Sequence, residues 1–199
     1  MKEQTEIPED RAGDGIRPWT TLDVELVADC RIFAVKRIRR ESPDGGKRGE
    51  FCTIDSPDWV NVIALTDEGE VVMIRQYRHG SDEITLEIPG GILDEGEKPE
   101  DAARRELLEE TGFAGDRGRI IGCVRPNPAL FDNSAYTVLI TGARRVAEPS
   151  PDEHEDIAVR LYSLKEAEEM LRRGEITHSL VVNAFLWLRL YGTEEGPTG

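Results

Sequence analysis

Cysteine is scarce: Cys30, Cys52 and Cys123 are the only three in 199 residues, and they stand far apart. Their number and spacing exclude a disulfide framework and a zinc-ligand pattern, and suit a reducing compartment. No apolar run approaches the ~20 residues of a membrane-spanning helix. The opening Met1-Lys-Glu-Gln-Thr-Glu-Ile-Pro-Glu-Asp10 lacks the apolar stretch of a secretory signal. The expectation is a cytoplasmic protein with no membrane partner. Positive charge is also short, with 25 Lys and Arg against 40 Asp and Glu and a net charge of −15. Such a surface repels a phosphate backbone, which excludes nucleic acid as a bulk partner. A small anionic substrate stays compatible if bridging cations and a few placed arginines carry it into an acidic site.

What is present reads as one domain with a full core behind a short extension. Residues 1–18 are charged and aperiodic, as a flexible N-terminal segment would be, and residues 193–199 form a similar tail. The stretch from Thr21 to Ile38 reads as a strand, the turn Ser42-Pro-Asp-Gly-Gly46 as a hairpin, and Phe51 to Ile54 as the returning strand. Asn61 to Leu65 and Glu70 to Arg75, flanking Thr66-Asp-Glu-Gly69, suggest a second hairpin. Thr85 to Ile88 is a short strand that Pro89-Gly-Gly91 ends. Pro99 and Gly112 bracket a helix. Strands follow at Ile120 to Arg125, Tyr136 to Thr141 and Ile157 to Tyr162. Ser163 caps a helix to Arg173 that Gly174 stops, and a last apolar helix covers about Ser179 to Tyr191. Strands with interspersed helices fit an α/β class with a mixed sheet.

Within the bracketed helix, Glu106, Glu109 and Glu110 stand at i, i+3 and i+4 and crowd one face. Like charges at that spacing weaken a bare helix, and three hard oxygen donors suit Mg²⁺ or Mn²⁺. Gly90 and Gly91 carry no side chains, so a backbone carbonyl has room to approach a metal. Arg105 points off the carboxylate face and has the reach to pair with Glu97. Metals bridging phosphate oxygens polarise phosphorus and lower the pKa of bound water, which is machinery for hydrolysing a phosphoanhydride. An isolated Glu-x-x-Glu-Glu is more often a solvated face.

This one is not isolated. The segment from Gly91 through Glu97, Arg105, Glu106, Leu107, Glu109, Glu110 and Gly112 to Phe113 matches Gly-x5-Glu-x7-Arg-Glu-U-x-Glu-Glu-x-Gly-U, with U apolar. The chain thereby resembles the Nudix hydrolases over roughly residues 20–192. The resemblance implies an α/β/α sandwich with a mixed β-sheet over residues 58–192, preceded at 19–57 by an N-terminal antiparallel β-sheet that pairs two subunits into a homodimer. It implies Mg²⁺, with Mn²⁺ possible, on Glu106, Glu109, Glu110 and the Gly91 carbonyl.

Three further segments resemble the branch that cleaves ADP-ribose and nucleoside diphosphate sugars. Arg75-Gln-Tyr-Arg78 precedes Leu86-Glu87-Ile88-Pro89-Gly90-Gly91. This implies that Arg78 and Arg75 pair with a diphosphate and that Glu87 joins the metal shell. Arg125-Pro126-Asn127-Pro128 begins a loop that, through Asn127, Pro128 and Asn133, would lie along the sugar; it departs from the Ser-Pro-Gly form of dedicated ADP-ribose enzymes. Asp152-Glu153-His154-Glu155 matches the loop that carries the general base in that branch, and the resemblance implies Glu153 first and Glu155 second in that role. Trp19, Phe51, Trp59 and Tyr77 are candidates to stack on a nucleobase. The expected reaction yields a nucleoside monophosphate and a sugar phosphate. The alternatives are a Nudix hydrolase of nucleoside triphosphates and a non-catalytic domain that senses nucleotide sugars.

Overall fold

The computed structural model describes residues 15–151 and 156–192. They divide into two compact units. The first holds the described residues up to Ser56 together with Ala129–Asp132, and the second begins at Pro57–Pro128 and resumes at Asn133.

In the first unit β1 (Thr20–Asp29), β2 (Ala34–Glu41) and β3 (Arg48–Asp55) form an antiparallel sheet in that order. The single strand expected over Thr21 to Ile38 is two strands. Asp29 accepts a hydrogen bond from the Arg31 backbone N–H at 2.9 Å, and Arg31 turns into the left-handed region at φ 69°. A side chain that satisfies its own backbone two residues on makes a turn. The hairpin at 42–47 stands as expected, closed by Ser42 N–H donating to the Lys47 carbonyl at 2.9 Å. Cross-strand ion pairs occupy one face: Arg37 with Glu25 and Glu50, and Arg39 with Asp23. On the other face Val24, Ile38 and Phe51 are register partners, with Val24 and Phe51 exposed.

The second unit has two sheets. β7 (Gly90–Ile92), β4 (Trp59–Ala64), β10 (Ala135–Ile140) and β9 (Arg119–Val124) lie in that order, with β4 and β10 parallel and the outer pairs antiparallel. β12 (Ile157–Ser163), β5 (Glu70–Arg78) and β6 (Glu83–Glu87) form an antiparallel sheet. A two-residue ribbon joins β8 (Phe113–Ala114) to β11 (Arg144–Arg145). The second hairpin does not form. Its turn exists, with Thr66 N–H on the Glu70 carbonyl at 2.9 Å, and Leu65 bridges Val71. Beyond that bridge β4 and β5 join different sheets, because Leu65 N–H goes to the Ile140 carbonyl instead. Both strands are apolar on both faces, so burial on two sides decides their partners.

Helices cover both faces. Val60, Val62, Val72, Val138 and Ile140 pack against Ala102, Ala103 and Leu107 of α1 (Pro99–Thr111). The alternate residues Ile63, Val71, Met73 and Leu139 pack against α2 (Leu164–Arg173) and α3 (Ser179–Tyr191) through Ala167, Met170, Val181, Ala184 and Phe185. The period of two sends successive side chains into two separate cores, giving the α/β/α layering. The capping box of Ser163 and Glu166 starts α2.

Gly112 ends α1 at φ 73°, and a Cβ there would lie 2.1 Å from the Ala147 carbonyl oxygen. Gly174 ends α2 at φ 71° with open space around it. Both pay the left-handed strain on substitution, and only the first adds a backbone clash. Gly174→Ala should cost about 1 kcal/mol and Gly112→Ala about 2–3 kcal/mol in urea unfolding; equal losses would show that the Ala147 approach does not matter.

Candidate active site

Pro99 starts α1 and the αL residue Gly112 stops it, so the register of its carboxylates is fixed from both ends. Lys98 offers no side-chain cap, and Glu100 and Asp101 in the first turn complement the helix dipole instead. Glu110 is buried beneath the helix and accepts the Gly90 N–H at 3.0 Å. Glu106 lies against Gly91 so closely that a Cβ there would fall 2.2 Å from its Oε1.

Arg105 does more than the helix spacing suggests. It holds Glu97 with two bonds, Nε to Oε1 at 3.1 Å and Nη2 to Oε2 at 3.0 Å. Its Nη1 also donates to Glu106 at 2.8 Å and to Glu109 at 3.3 Å, and Nη2 to the Ile92 carbonyl at 3.0 Å. The guanidinium therefore lies on the carboxylate face and not off it. The physical reason is that a planar fork with five donors can serve several acceptors at once. The Arg105 bonds hold the Glu97 carboxyl below the usual carboxylate range, and its acidic neighbours push the guanidinium pKa up.

Among the described residues no three Asp, Glu, His or Cys side chains already form a cation cage. The donor set nevertheless fits a hard divalent cation: Glu106, Glu109 and Glu110 offer oxygens only, and the side-chain-free surface of Gly91 leaves room that any Cβ would fill.

A second cluster sits on the three-stranded sheet. Arg78 clamps Glu87 through Nε–Oε1 at 2.8 Å and Nη2–Oε2 at 2.7 Å, and the Thr85 hydroxyl donates to Oε1 at 2.6 Å. His178 Nε2 lies 3.9 Å from Glu87 Oε2. Glu87 is only 2% exposed. Burial pushes its carboxyl up, but Arg78 and Thr85 outweigh burial and hold it below the usual range. Burial lowers the His178 pKa, with Glu87 opposing. This clamp was not legible in the sequence, because only the β5–β6 register sets Arg78, Thr85 and Glu87 on one face.

The remaining candidates are scattered. Strand alternation turns Arg75 to the face opposite Arg78, and Trp59 to the face opposite Val60. Asn127 and Pro128 are exposed in the loop after β9. Asn133 is fully buried and donates to the Pro57 carbonyl at 2.9 Å. Trp19 meets Phe51 edge-on in the first unit, and Tyr77 meets His79. Glu153 and Glu155 lie outside the described residues.

A loop–helix–loop that sets Gly90 and Gly91 against Glu110 and Glu106, on a mixed sheet between helices, defines a Nudix fold. The chain belongs to that family: the NUDIX domain model matches residues 56–185. It is similar to the ADP-ribose pyrophosphatase of Mycobacterium tuberculosis (strain ATCC 25618 / H37Rv), at 32% identity over 170 residues covering 84% of this chain and 82% of the relative. The ADP-ribose pyrophosphatase of Bacillus subtilis (strain 168) is 30% identical over 175 residues, covering 85% and 95%. The crystal structure of an ADP compounds hydrolase superposes with a TM-score of 0.78 at 25% identity, covering 88% of this chain and 94% of that one.

The Glu87 clamp has a pH signature. Its depressed pKa contributes stability that is present above the unfolded carboxylate value and is lost as pH falls through the folded value. In Arg78→Met the main opposition to burial is lost and only Thr85 and His178 still favour the carboxylate, so the Glu87 pKa rises and the variant loses stability as pH increases. The deficit against wild type should be small near pH 4 and reach about 2–3 kcal/mol at pH 8 in urea unfolding; a deficit independent of pH would refute the clamp.

Proposed function

We propose that the protein is a metal-dependent pyrophosphohydrolase that cleaves ADP-ribose, or a related nucleoside diphosphate sugar, to a nucleoside monophosphate and a sugar phosphate. The observation that carries this is the junction of Gly90, Gly91, Glu106 and Glu110, where a complete carboxylate set meets a loop free of side chains. The relatives named for ADP-ribose hydrolysis, matched over most of their length, support the substrate class.

In this reading Glu106, Glu109, Glu110 and the Gly91 carbonyl hold Mg²⁺ or Mn²⁺, which supplies charge neutralisation at the diphosphate and a bound water of lowered pKa. Arg105 fixes the 93–98 loop to α1 and so sets where Gly91 stands. Arg78, oriented by Glu87, presents a guanidinium to a diphosphate oxygen. Glu153, or Glu155 after it, accepts the proton of the attacking water. Asn127 and Pro128 border the sugar. The exposed apolar face of the N-terminal sheet over residues 19–57 supports its use in pairing two subunits, since such a face is usually covered. No helix of the described residues is long and apolar enough to cross a membrane, and the widely spaced free thiols support a cytoplasmic location.

Wild-type protein with Mg²⁺ should convert ADP-ribose to AMP and ribose 5-phosphate, and chelation with EDTA should abolish turnover. Cleavage of nucleoside triphosphates alone would overturn the substrate assignment, and binding without turnover of any substrate would favour a sensor. Glu110→Gln retains an oxygen that can accept the Gly90 N–H, so its thermal midpoint should stay near wild type while kcat falls at least ~100-fold. Near-wild-type turnover in saturating Mg²⁺ would refute the metal assignment.

A further inference from the structure

The face of the four-stranded sheet that carries Gly91 continues past the carboxylates into groups that diphosphate cleavage leaves unused. Gly91 pairs with Val60, Val60 with Tyr136, and Tyr136 with Cys123. Paired residues project to one side of a sheet, and adjacent strands lie ~4.8 Å apart. Tyr136 therefore stands about 10 Å from Gly91 and Cys123 about 14 Å, on the side where Val60 packs toward α1. A bulge shapes this row. Thr137 pairs with Gly122 but Val138 pairs with Ile120, so Ile120 and Cys123 share one face while Ile121 enters the opposite core.

Three more polar side chains surround the pair. Ser134 precedes Tyr136 by two residues and Arg125 follows Cys123 by two, the spacing that returns to one face of a strand, and the Asp58 and Arg125 charges act on both Cys123 and Tyr136. Asp58 Oδ1 accepts the Ser134 N–H at 2.8 Å, and its carbonyl accepts the Leu93 N–H at 2.9 Å, which ties the group to the strand bearing Gly91. Burial pushes both the Cys123 thiol and the Tyr136 phenol up, so each remains a protonated donor at neutral pH. Neither side chain belongs to the two apolar cores. A carboxylate, a guanidinium, two hydroxyls and a thiol thus share one side of the sheet, in a row about 10–14 Å from Gly91.

We propose that Tyr136, Cys123, Ser134, Asp58 and Arg125 form the subsite for the sugar half of the substrate. The carboxylate accepts from ring hydroxyls, and the phenol and guanidinium donate to them. The subsite rests on the pyrophosphohydrolase function proposed above.

Two measurements test it. In a Cys30→Ser/Cys52→Ser protein, Cys123 is the remaining thiol, and both replaced residues are exposed. At product concentrations that inhibit ADP-ribose turnover, ribose 5-phosphate should slow Cys123 alkylation at least threefold and AMP should not. Protection by AMP alone, or by neither product, overturns the assignment. Tyr136→Phe removes one hydroxyl and should raise KM for ADP-ribose about five- to tenfold, with kcat within twofold and KM for the β-methyl ester of ADP unchanged. An unchanged KM for ADP-ribose in Tyr136→Phe overturns the subsite while leaving the hydrolase standing; failure of wild type to cleave ADP-ribose overturns the hydrolase and the subsite with it.

Discussion

Helix α1 carries three glutamates within five positions, an arrangement that repels itself and would fray an unsupported helix. One residue earlier in the chain, Arg105 spreads its fork over Glu97, Glu106, Glu109 and the Ile92 carbonyl. That contact does two things at once. It neutralises part of the carboxylate charge, and it staples the 93–98 loop to the helix, which sets where β7 ends. With its side chain 30% exposed, Arg105 gains only a modest Coulomb energy, because water screens it. Its consequence is chiefly geometric: Gly91 and Glu106 meet because the loop between them cannot drift. A lysine would offer one point charge in place of a fork and could not satisfy Glu97 and Ile92 together.

The same junction is held from below by backbone. Glu110 bonds the Gly90 N–H, and a Cβ at Gly90 would lie 2.3 Å from the Val60 carbonyl oxygen. The sheet edge, the loop and the helix therefore approach more closely than side chains permit. Two apolar cores, one under α1 and one under α2 and α3, clamp the sheets between rigid layers. A site built where those layers meet inherits their precision.

Most helices were legible in the sequence because their ends carry local chemistry. Pro99 and Gly112 bracket α1 as expected, and Ser163 with Glu166 starts α2. Strand pairing was less legible. Thr66-Asp-Glu-Gly69 reads as a hairpin turn and is a turn, yet β4 and β5 part beyond it, since turn residues do not encode which sheet a doubly buried strand joins. Gly90–Ile92 went unread as a strand because two glycines carry no β-propensity. In the site, spacing reveals Glu106, Glu109 and Glu110, while Arg105's extra partners depend on rotamers that spacing cannot specify. The row from Gly91 to Cys123 was invisible, being set by register across four strands far apart in the chain.

The clamp of Arg78 on Glu87 sharpens what the acidic charge means for the proposed reaction. A guanidinium paired bidentately with a buried carboxylate is neutral as a unit. Glu87 therefore orients Arg78 without leaving a net positive potential around it, and Arg105 is likewise spent on Glu97, Glu106 and Glu109. Neither arginine cluster can draw a dianionic diphosphate toward a chain of net charge −15 by field alone. The attraction has to come from divalent cations, for which the glutamate face is the complementary surface. An acidic protein and an anionic substrate are then compatible, because arginine fixes geometry at this site while the cation supplies the charge.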